Sequence, residues 1–366
     1  MWYAHVLRTT AGFFAFAILA IAVVPGAAQA QPHPCYLTYI DTDPFSPTYL
    51  QELVSNSYSE CHESASGVSA VGANIAAIGE SFVQQQLNIG AGIAGFTTPT
   101  GRLRHTDHDG LIEKSTGTRT DAFEVDEGSI FANASYDLPG TYFGGKVRVS
   151  GLAGYTRLEQ DLDTAGNSTD IDSFVYGGSY LWSQGSFYSM SLIIGITGEA
   201  DATTLGGAAG GGDYNYDVSG YFTNSVIGYT FDWPGNGWRF DLRGGLGHYD
   251  VDTNRFKFAA TDLTIKGIAE AWNASITGTL FTIVEVDGGG VMRPYVLASY
   301  KNVFDEDIKV KGDVTAEFEQ ANDYGKVELG FDYVQGILTY GAAGYTEFSA
   351  DENTFGARLG VSVKLQ

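Results

Sequence analysis

The last run of the chain, Phe355–Gln366, alternates without a break. Apolar side chains stand at 355, 357, 359, 361, 363 and 365, and small or polar ones at 356, 358, 360, 362, 364 and 366. Side chains point to opposite faces along a strand, so this strand has one greasy face and one small or polar face. From Ser129 onward ten further runs carry a comparable period. Ile130, Ala132, Ala134, Tyr136 and Leu138 share a face, as do Val147, Val149, Ala153 and Tyr155, and Phe174, Tyr176, Tyr180 and Trp182. Tyr188, Met190, Leu192, Ile194 and Ile196 oppose Ser189, Ser191, Thr197 and Glu199. Tyr221, Ile227, Tyr229, Phe231 and Trp233 form the next apolar register, then Trp238, Phe240, Leu242 and Leu246, then Trp272, Ala274, Ile276, Leu280 and Val284. Pro294, Val296, Ala298 and Tyr300 follow, and after them Val327, Leu329, Phe331 and Tyr333. In Ile337–Glu347 neither face is clearly apolar, and the flanking turns mark it as a strand. The expected fold is all-β: a transmembrane antiparallel up-and-down β-barrel with each apolar face on lipid.

The connections alternate in length. Pro139–Gly145, Gln184-Gly185, Pro234–Gly237, Val286–Gly290 and Gln335-Gly336 are short, whereas Asp161–Asp170, Thr203–Asp213, Asp250–Ile265 and Asp305–Asn322 are long. Barrels in outer membranes have this asymmetry, with short periplasmic turns and longer outer loops. Eleven runs need a twelfth to make an even number, and its expected home is within Ile89–Leu103. Upstream, Val68, Val71, Ile75, Ile78, Phe82 and Leu87 recur at helical spacing, predicting a helix over 66–87, with Ser64 or Ser66 as a cap. It either threads the lumen or packs on a periplasmic cap.

Residues 1–30 read as a signal peptide. Arg8 precedes an apolar run, Ala11–Val24, which Pro25-Gly26 breaks before Ala28-Gln29-Ala30. The apolar core is shorter than the ~20 residues of a spanning helix. The expected organisation is a leader at 1–30, an N-terminal periplasmic or lumenal segment at 31–88 and a barrel at 89–366. Cys35 and Cys61 are the only cysteines. In an oxidising compartment they are expected to form a disulfide closing a short loop, the alternative being free thiols, and their spacing fits no zinc motif.

The chain carries 43 acidic and 20 basic residues, for a net charge of −23. The leader holds one Arg and no acid, so 43 acids face 19 bases beyond it. Such a surface repels nucleic acid. The polar registers carry Arg148, Arg239, Arg243, Arg293, Lys326 and Arg358, with Asp241, Glu328 and Asp332. A charge on lipid costs a few kcal/mol near the midplane, so these nine are expected to face the lumen.

The stretches Ser219-Gly220-Tyr221…Ile227-Gly228-Tyr229-Thr230-Phe231-Asp232, Arg293-Pro294-Tyr295-Val296 and Tyr340-Gly341-Ala342-Ala343-Gly344-Tyr345 carry a resemblance. With the final strand, they make residues 89–366 similar to the outer-membrane autotransporter β-barrel domain. The resemblance implies twelve strands, often a pore-plugging helix, and a large secreted passenger upstream. Arg358, Gly360, Val363 and Leu365 resemble the last-strand signal read by the barrel-assembly machinery, although the chain ends in Gln366 rather than an aromatic residue. Only about 60 residues stand between leader and barrel, without repeats, so a conventional passenger is expected to be missing. The expected surroundings are outer-membrane lipid and lipopolysaccharide of a Gram-negative cell, around a monomer.

Candidate chemistry is sparse. His105-Thr106-Asp107-His108-Asp109 is the one cluster of metal-ligand types, and it reads as a solvated loop. Asp161, Asp163, Asp170 and Asp172 fall in one expected outer loop, and Asp305-Glu306-Asp307 in another; both read as solvated acidic rim rather than Ca²⁺ sites. The Gly-rich run Leu205–Asp213 lacks the ending of a phosphate loop. No catalytic, metal or cofactor site is expected, and no enzyme. The leading expectation is a barrel without a large passenger that serves as envelope scaffold or surface-interaction protein. The alternatives are a small-solute, porin-like channel, or an adhesin acting through its acidic loops.

Overall fold

The computed structural model describes residues 101–114, 122–162, 167–204, 212–232, 237–257, 264–286, 289–313, 315–319 and 322–363. It also describes two short paired strands, Leu37–Ile40 and Glu52–Ser55, and the helical residues Val71, Ala76 and Ala77. Signal peptide, Cys35, Cys61, Leu365 and the side chain of Val363 lie outside the described residues.

Twelve long strands follow in order: β1 (Gly101–His108), β2 (Phe123–Asp137), β3 (Lys146–Leu162), β4 (Asn167–Gln184), β5 (Phe187–Thr204) and β6 (Gly212–Asp232). Then come β7 (Trp238–Thr253), β8 (Thr264–Thr282), β9 (Gly290–Gly312), β10 (Asp323–Gln335), β11 (Leu338–Phe348) and β12 (Glu352–Val363). Each pairs antiparallel with the next. The last pairs with the first, from Glu352 opposite His108 to Leu359 opposite Gly101, so the ring is closed. Closure removes the edge strands that lipid could not hydrogen-bond. Two-residue turns join β4 to β5 and β10 to β11. Gly185 (φ 59°) and Gly336 (φ 61°) take the left-handed conformation that such hairpins need.

The twelfth strand is found at 101–108, mostly downstream of the expected Ile89–Leu103 window. The supposed solvated loop around His105 is therefore strand β1. Its outward face holds only Leu103 before His105 and Asp107, so no apolar stripe marks it. Alternation turns His105 outward and His108 inward, which prevents them from sharing a metal ion. β2 likewise begins at Phe123 rather than near Ser129.

The outward face of the barrel carries Leu103, Ile130, Ile227, Ile276, Leu329, Phe355 and Leu359, all more than half exposed to the surroundings. Tyr155, Phe174, Tyr221, Trp272 and Tyr300 lie toward the long-loop end of this belt, and Phe187, Tyr229, Trp238 and Tyr340 toward the short-turn end. The strands outrun it. At ~3.4 Å per residue, the 21-residue β6 is roughly 70 Å long. A tilt of ~40° leaves a height of roughly 50–55 Å, about twice a ~25 Å apolar band. Where they are described, the expected long loops are largely paired strand. Asp161, Asp170 and Asp172 sit in β3 and β4, and Asp305–Asp307 in β9, where the register shifts beside Glu270.

One strand faces the opposite way from the expectation. In β5 the apolar set Tyr188, Met190, Leu192, Ile194 and Ile196 is buried inside the barrel. Ser189 lies opposite Trp182 and Ser191 opposite Tyr180, two rings of the outer face, so the serines face outward. The expectation assigned the greasier face to lipid, but here the greasier face fills an apolar interior. With a period of two, that choice decides every side chain of the strand. Cysteines at Ser189 and Ser191 are expected to react with a membrane-soluble maleimide in vesicles. Cysteines at Leu192 and Ile194 are expected to stay protected until the barrel is unfolded.

Candidate functional site

The lumen has two unlike walls. From β4 to β8 the inward side chains are mainly apolar: Ile171, Val175, Leu192, Ile194, Ile196, Val218, Phe222, Tyr249, Val251, Ala269 and Ala271, all buried. They join one buried cluster that also contains Val71, Ala76 and Ala77. Of the expected helix over 66–87, these three residues are described; they are helical, and they are packed among lumen side chains.

The same cluster closes toward the long-loop end. Phe256, just beyond β7, stacks on Tyr216 at 4.5 Å and on Tyr214 at 5.8 Å between ring centroids. After β9 the chain turns back, and Ala316–Glu319 pairs with Ile308–Val310 on one side. On its other side Phe318 and Glu319 pair with Glu113 and Ile112 of the β1–β2 connection. Phe318 of this strap and Leu111 are each 1% exposed. The strap bridges the low side of the barrel, where β10, β11, β12 and β1 have 13, 11, 12 and 8 residues against 23 in β9.

The wall from β9 through β12 to β2 is charged and buried. Glu328 is its hub. Arg358 donates to Glu328 Oε1 from Nε at 3.0 Å, and the Tyr295 hydroxyl donates to the same oxygen at 2.8 Å. Tyr295 in turn accepts from Arg358 Nη2 at 2.6 Å. Lys326 lies 3.0 Å from Glu347, 3.6 Å from the second Glu328 oxygen and 4.0 Å from the Tyr345 ring centre. Just past the closing seam, Arg102 and Arg104 of β1 both bind Glu127 of β2, the latter at 3.2 Å. Arg293 meets Asp332 at 3.3 Å nearer the short turns. On the opposite side Asp241 is fully buried, accepting from the Tyr188 hydroxyl at 2.9 Å and from Thr230 at 3.0 Å. Arg243 is buried one inward position along β7.

The structure thus brings Lys326, Glu328 and Arg358 into one network and Arg293 and Asp332 into a neighbouring pair. Asp241 and Arg243 lie on another strand. Arg148 and Arg239 stand at the open short-turn mouth, each on a carboxylate: Arg148 on Asp137 at 2.6 Å and Arg239 on Asp232 at 2.9 Å. Gly360 is inward and buried, two positions beyond Arg358. Arg102, Arg104, Glu127, Lys301 and Glu347 are lumen charges that the sequence reading left out. For the two arginines the signal was Arg-x-Arg-x-Thr-x-His along β1, legible only once that segment is known to be a strand.

Where the strands rise past the ring belt, the outward face is acidic. Asp107 stands opposite Glu124, Asp126 opposite Glu159, Glu159 opposite Asp170, Asp170 opposite Asp201, and Asp172 opposite Glu199. Asp250 stands opposite Glu270. A few cations intervene: His105 bridges Asp126 at 2.8 Å and Asp107 at 3.2 Å, and Arg157 lies 2.8 Å from Glu159 and 3.0 Å from Asp170. Partial burial, then the charges of Glu270 and Asp252, hold the Asp250 carboxyl above the usual Asp range.

No protein-family model and no curated protein matches the chain. Solved structures do. The translocator domain of the autotransporter NalP from Neisseria meningitidis is 13% identical, with a TM-score of 0.59 over 81% of this chain and all of that one. The transport unit of the autotransporter AIDA-I from Escherichia coli is 13% identical, with a TM-score of 0.55 over 76% of this chain and 97% of that one. The β domain of the Bordetella autotransporter BrkA is 17% identical, with a TM-score of 0.51 over 73% of this chain and all of that one. The chain therefore has the fold of an autotransporter translocator barrel.

Three outcomes are expected. Glu328→Ala leaves Arg358 buried without its carboxylate, which costs about 3–5 kcal/mol; denaturant unfolding in vesicles reads this loss, and Arg358→Met with Glu328→Met recovers much of it. Like charges directly opposite on a sheet destabilise by roughly 0.2–1 kcal/mol. Asp201→Asn, which keeps the Arg157–Asp170 pair, is thus expected to raise the urea midpoint at low salt, with less gain at high salt. A carboxyl such as Asp250, whose pKa is higher folded than unfolded, binds its proton more tightly when folded. Its share of stability therefore increases as pH falls through the range just above ordinary Asp values.

Proposed function

We propose that this protein is an outer-membrane barrel with a filled lumen, serving as an envelope-embedded scaffold that holds an acidic surface above the bilayer, rather than as a solute channel. The short turns face the periplasm and the long strand extensions face outward, following the loop asymmetry of such barrels. The supporting observation is the buried apolar cluster, in which Val71, Ala76 and Ala77 pack among inward side chains of the long-loop half. Leu111, Phe256 and Phe318 close the same end. Barrels of about eight strands are filled by their own side chains and those of about sixteen hold water channels. Twelve strands leave a bore that a helix can fill. A hydrated ion crossing it would have to displace a packed apolar layer.

The solved relatives are named as translocator and transport units of autotransporters. Outer-membrane location and autotransporter type are carried to this chain by that likeness and by the belt of outward rings. The acidic outer face gives a surface-interaction role its chemistry, and an adhesin is the form of that role in which the partner is a host surface.

Planar-bilayer recording of the refolded full chain tests the proposal. The full chain is expected to give no steady conductance, and a variant lacking residues 66–87 is expected to give reproducible openings. Steady openings of the full chain would make the channel reading correct.

A further inference from the structure

The short-turn mouth of the barrel is chemically unlike the rest of the molecule. In a chain of net charge −23, three cations, Lys146, Arg148 and Arg239, line one open cavity of about 510 Å³ beside only two acids, Asp137 and Asp232. That volume is within the range of small-ligand pockets, roughly 300–1,000 Å³. The three cations are not equivalent. Arg148 is held by both Asp137 oxygens, at 2.6 and 3.1 Å. Arg239 meets Asp232 through Nε, at 2.9 Å. Among the described residues, the ammonium of Lys146 is in no ion pair. Deeper in, the Tyr188 hydroxyl is fixed by Asp241, while Leu181 and Phe281 add apolar surface.

We infer that this mouth is a binding site for short peptides bearing carboxylates. The planar fork of Arg239 matches a carboxylate and Lys146 adds an unneutralised charge. The aliphatic and aromatic lining beside them suits the body of a peptide better than a compact hydrated anion. The site opens at the end that the reading above places in the periplasm, where acidic peptides occur free and as the stem peptides of the cell wall. It makes no use of the state of the lumen above, so a conducting barrel would leave it standing.

The test is a fluorescence-anisotropy titration of the full chain, refolded in detergent micelles, with a fluorescein-labelled Ala-Glu-Ala-Glu peptide and with its uncharged counterpart Ala-Gln-Ala-Gln amide. The acidic peptide is expected to bind at least about tenfold more tightly, a ratio equal to ~1.4 kcal/mol. Lys146→Glu with Arg239→Glu is expected to abolish that preference, and the milder Lys146→Gln to reduce it severalfold, with heat-modifiable gel mobility showing that each variant is folded. Equal binding of both peptides, an unchanged preference in the folded variants, or displacement by inorganic phosphate as effective as by acidic peptide would overturn the inference. Isolated cell-wall sacculi separate the two sources. Co-sedimentation that the acidic peptide competes away assigns the ligand to the wall; peptide binding without co-sedimentation assigns it to soluble peptides.

Discussion

Everything in this fold follows from pairing β12 with β1. A strand edge facing hydrocarbon leaves its N–H and C=O groups without partners, at several kcal/mol each. Eight residue pairs, from Glu352–His108 to Leu359–Gly101, supply those partners and make the sheet continuous. Closure also creates an inside. Arg102, Arg104 and Glu127 on one side of the seam and Arg358 and Glu328 on the other become lumen groups only because the ring is shut. Their burial is tolerable because each guanidinium meets a carboxylate there.

The interior then divides by chemistry. A barrel conducting water would line its bore with polar side chains all round, whereas here the β4–β8 wall is mainly apolar, with Asp241 and Arg243 toward its short-turn end, and most of the buried charges lie on β9–β2. An apolar wall inside a membrane barrel has to be covered by other apolar groups, or it meets water. The small helical residues Ala76 and Ala77 permit close approach, and the aromatic stack around Phe256 covers the far end. This division accounts for the reversed strand. β5 lies within the apolar wall, so the greasier of its two faces turns inward and its serines are left to the outer face.

The architecture was largely legible in the sequence because most strands put a continuous greasy stripe outward. Trp238, Phe240, Leu242 and Leu246 against Arg239, Asp241 and Arg243 is unambiguous: charge inside, rings outside. The reading failed where that logic lost its contrast. In β1 both faces are polar beyond Leu103, so the strand passed for a loop. In β5 both environments are apolar, so alternation shows a strand but not its direction. The acidic extensions above the belt have no lipid to impose a pattern and looked like loops, though their backbones remain paired. The lumen network was half visible: Glu328 and Arg358 fall in the polar register, but their meeting depends on which strands become neighbours.

The pairing of the last two strands contains a detail of wider consequence. Tyr345 of β11 lies across Gly356 of β12, and a Cβ built there would fall within the ring. The neighbouring positions on the same inward face are Thr354 and Arg358, both bulkier. Sliding β12 by two residues in either direction keeps the greasy face outward, so lipid cannot detect the mistake. The tyrosine can, because either slip drives a side chain into its ring. The final strand is thus gauged like a key against a ward, and the barrel admits a single circumference alignment.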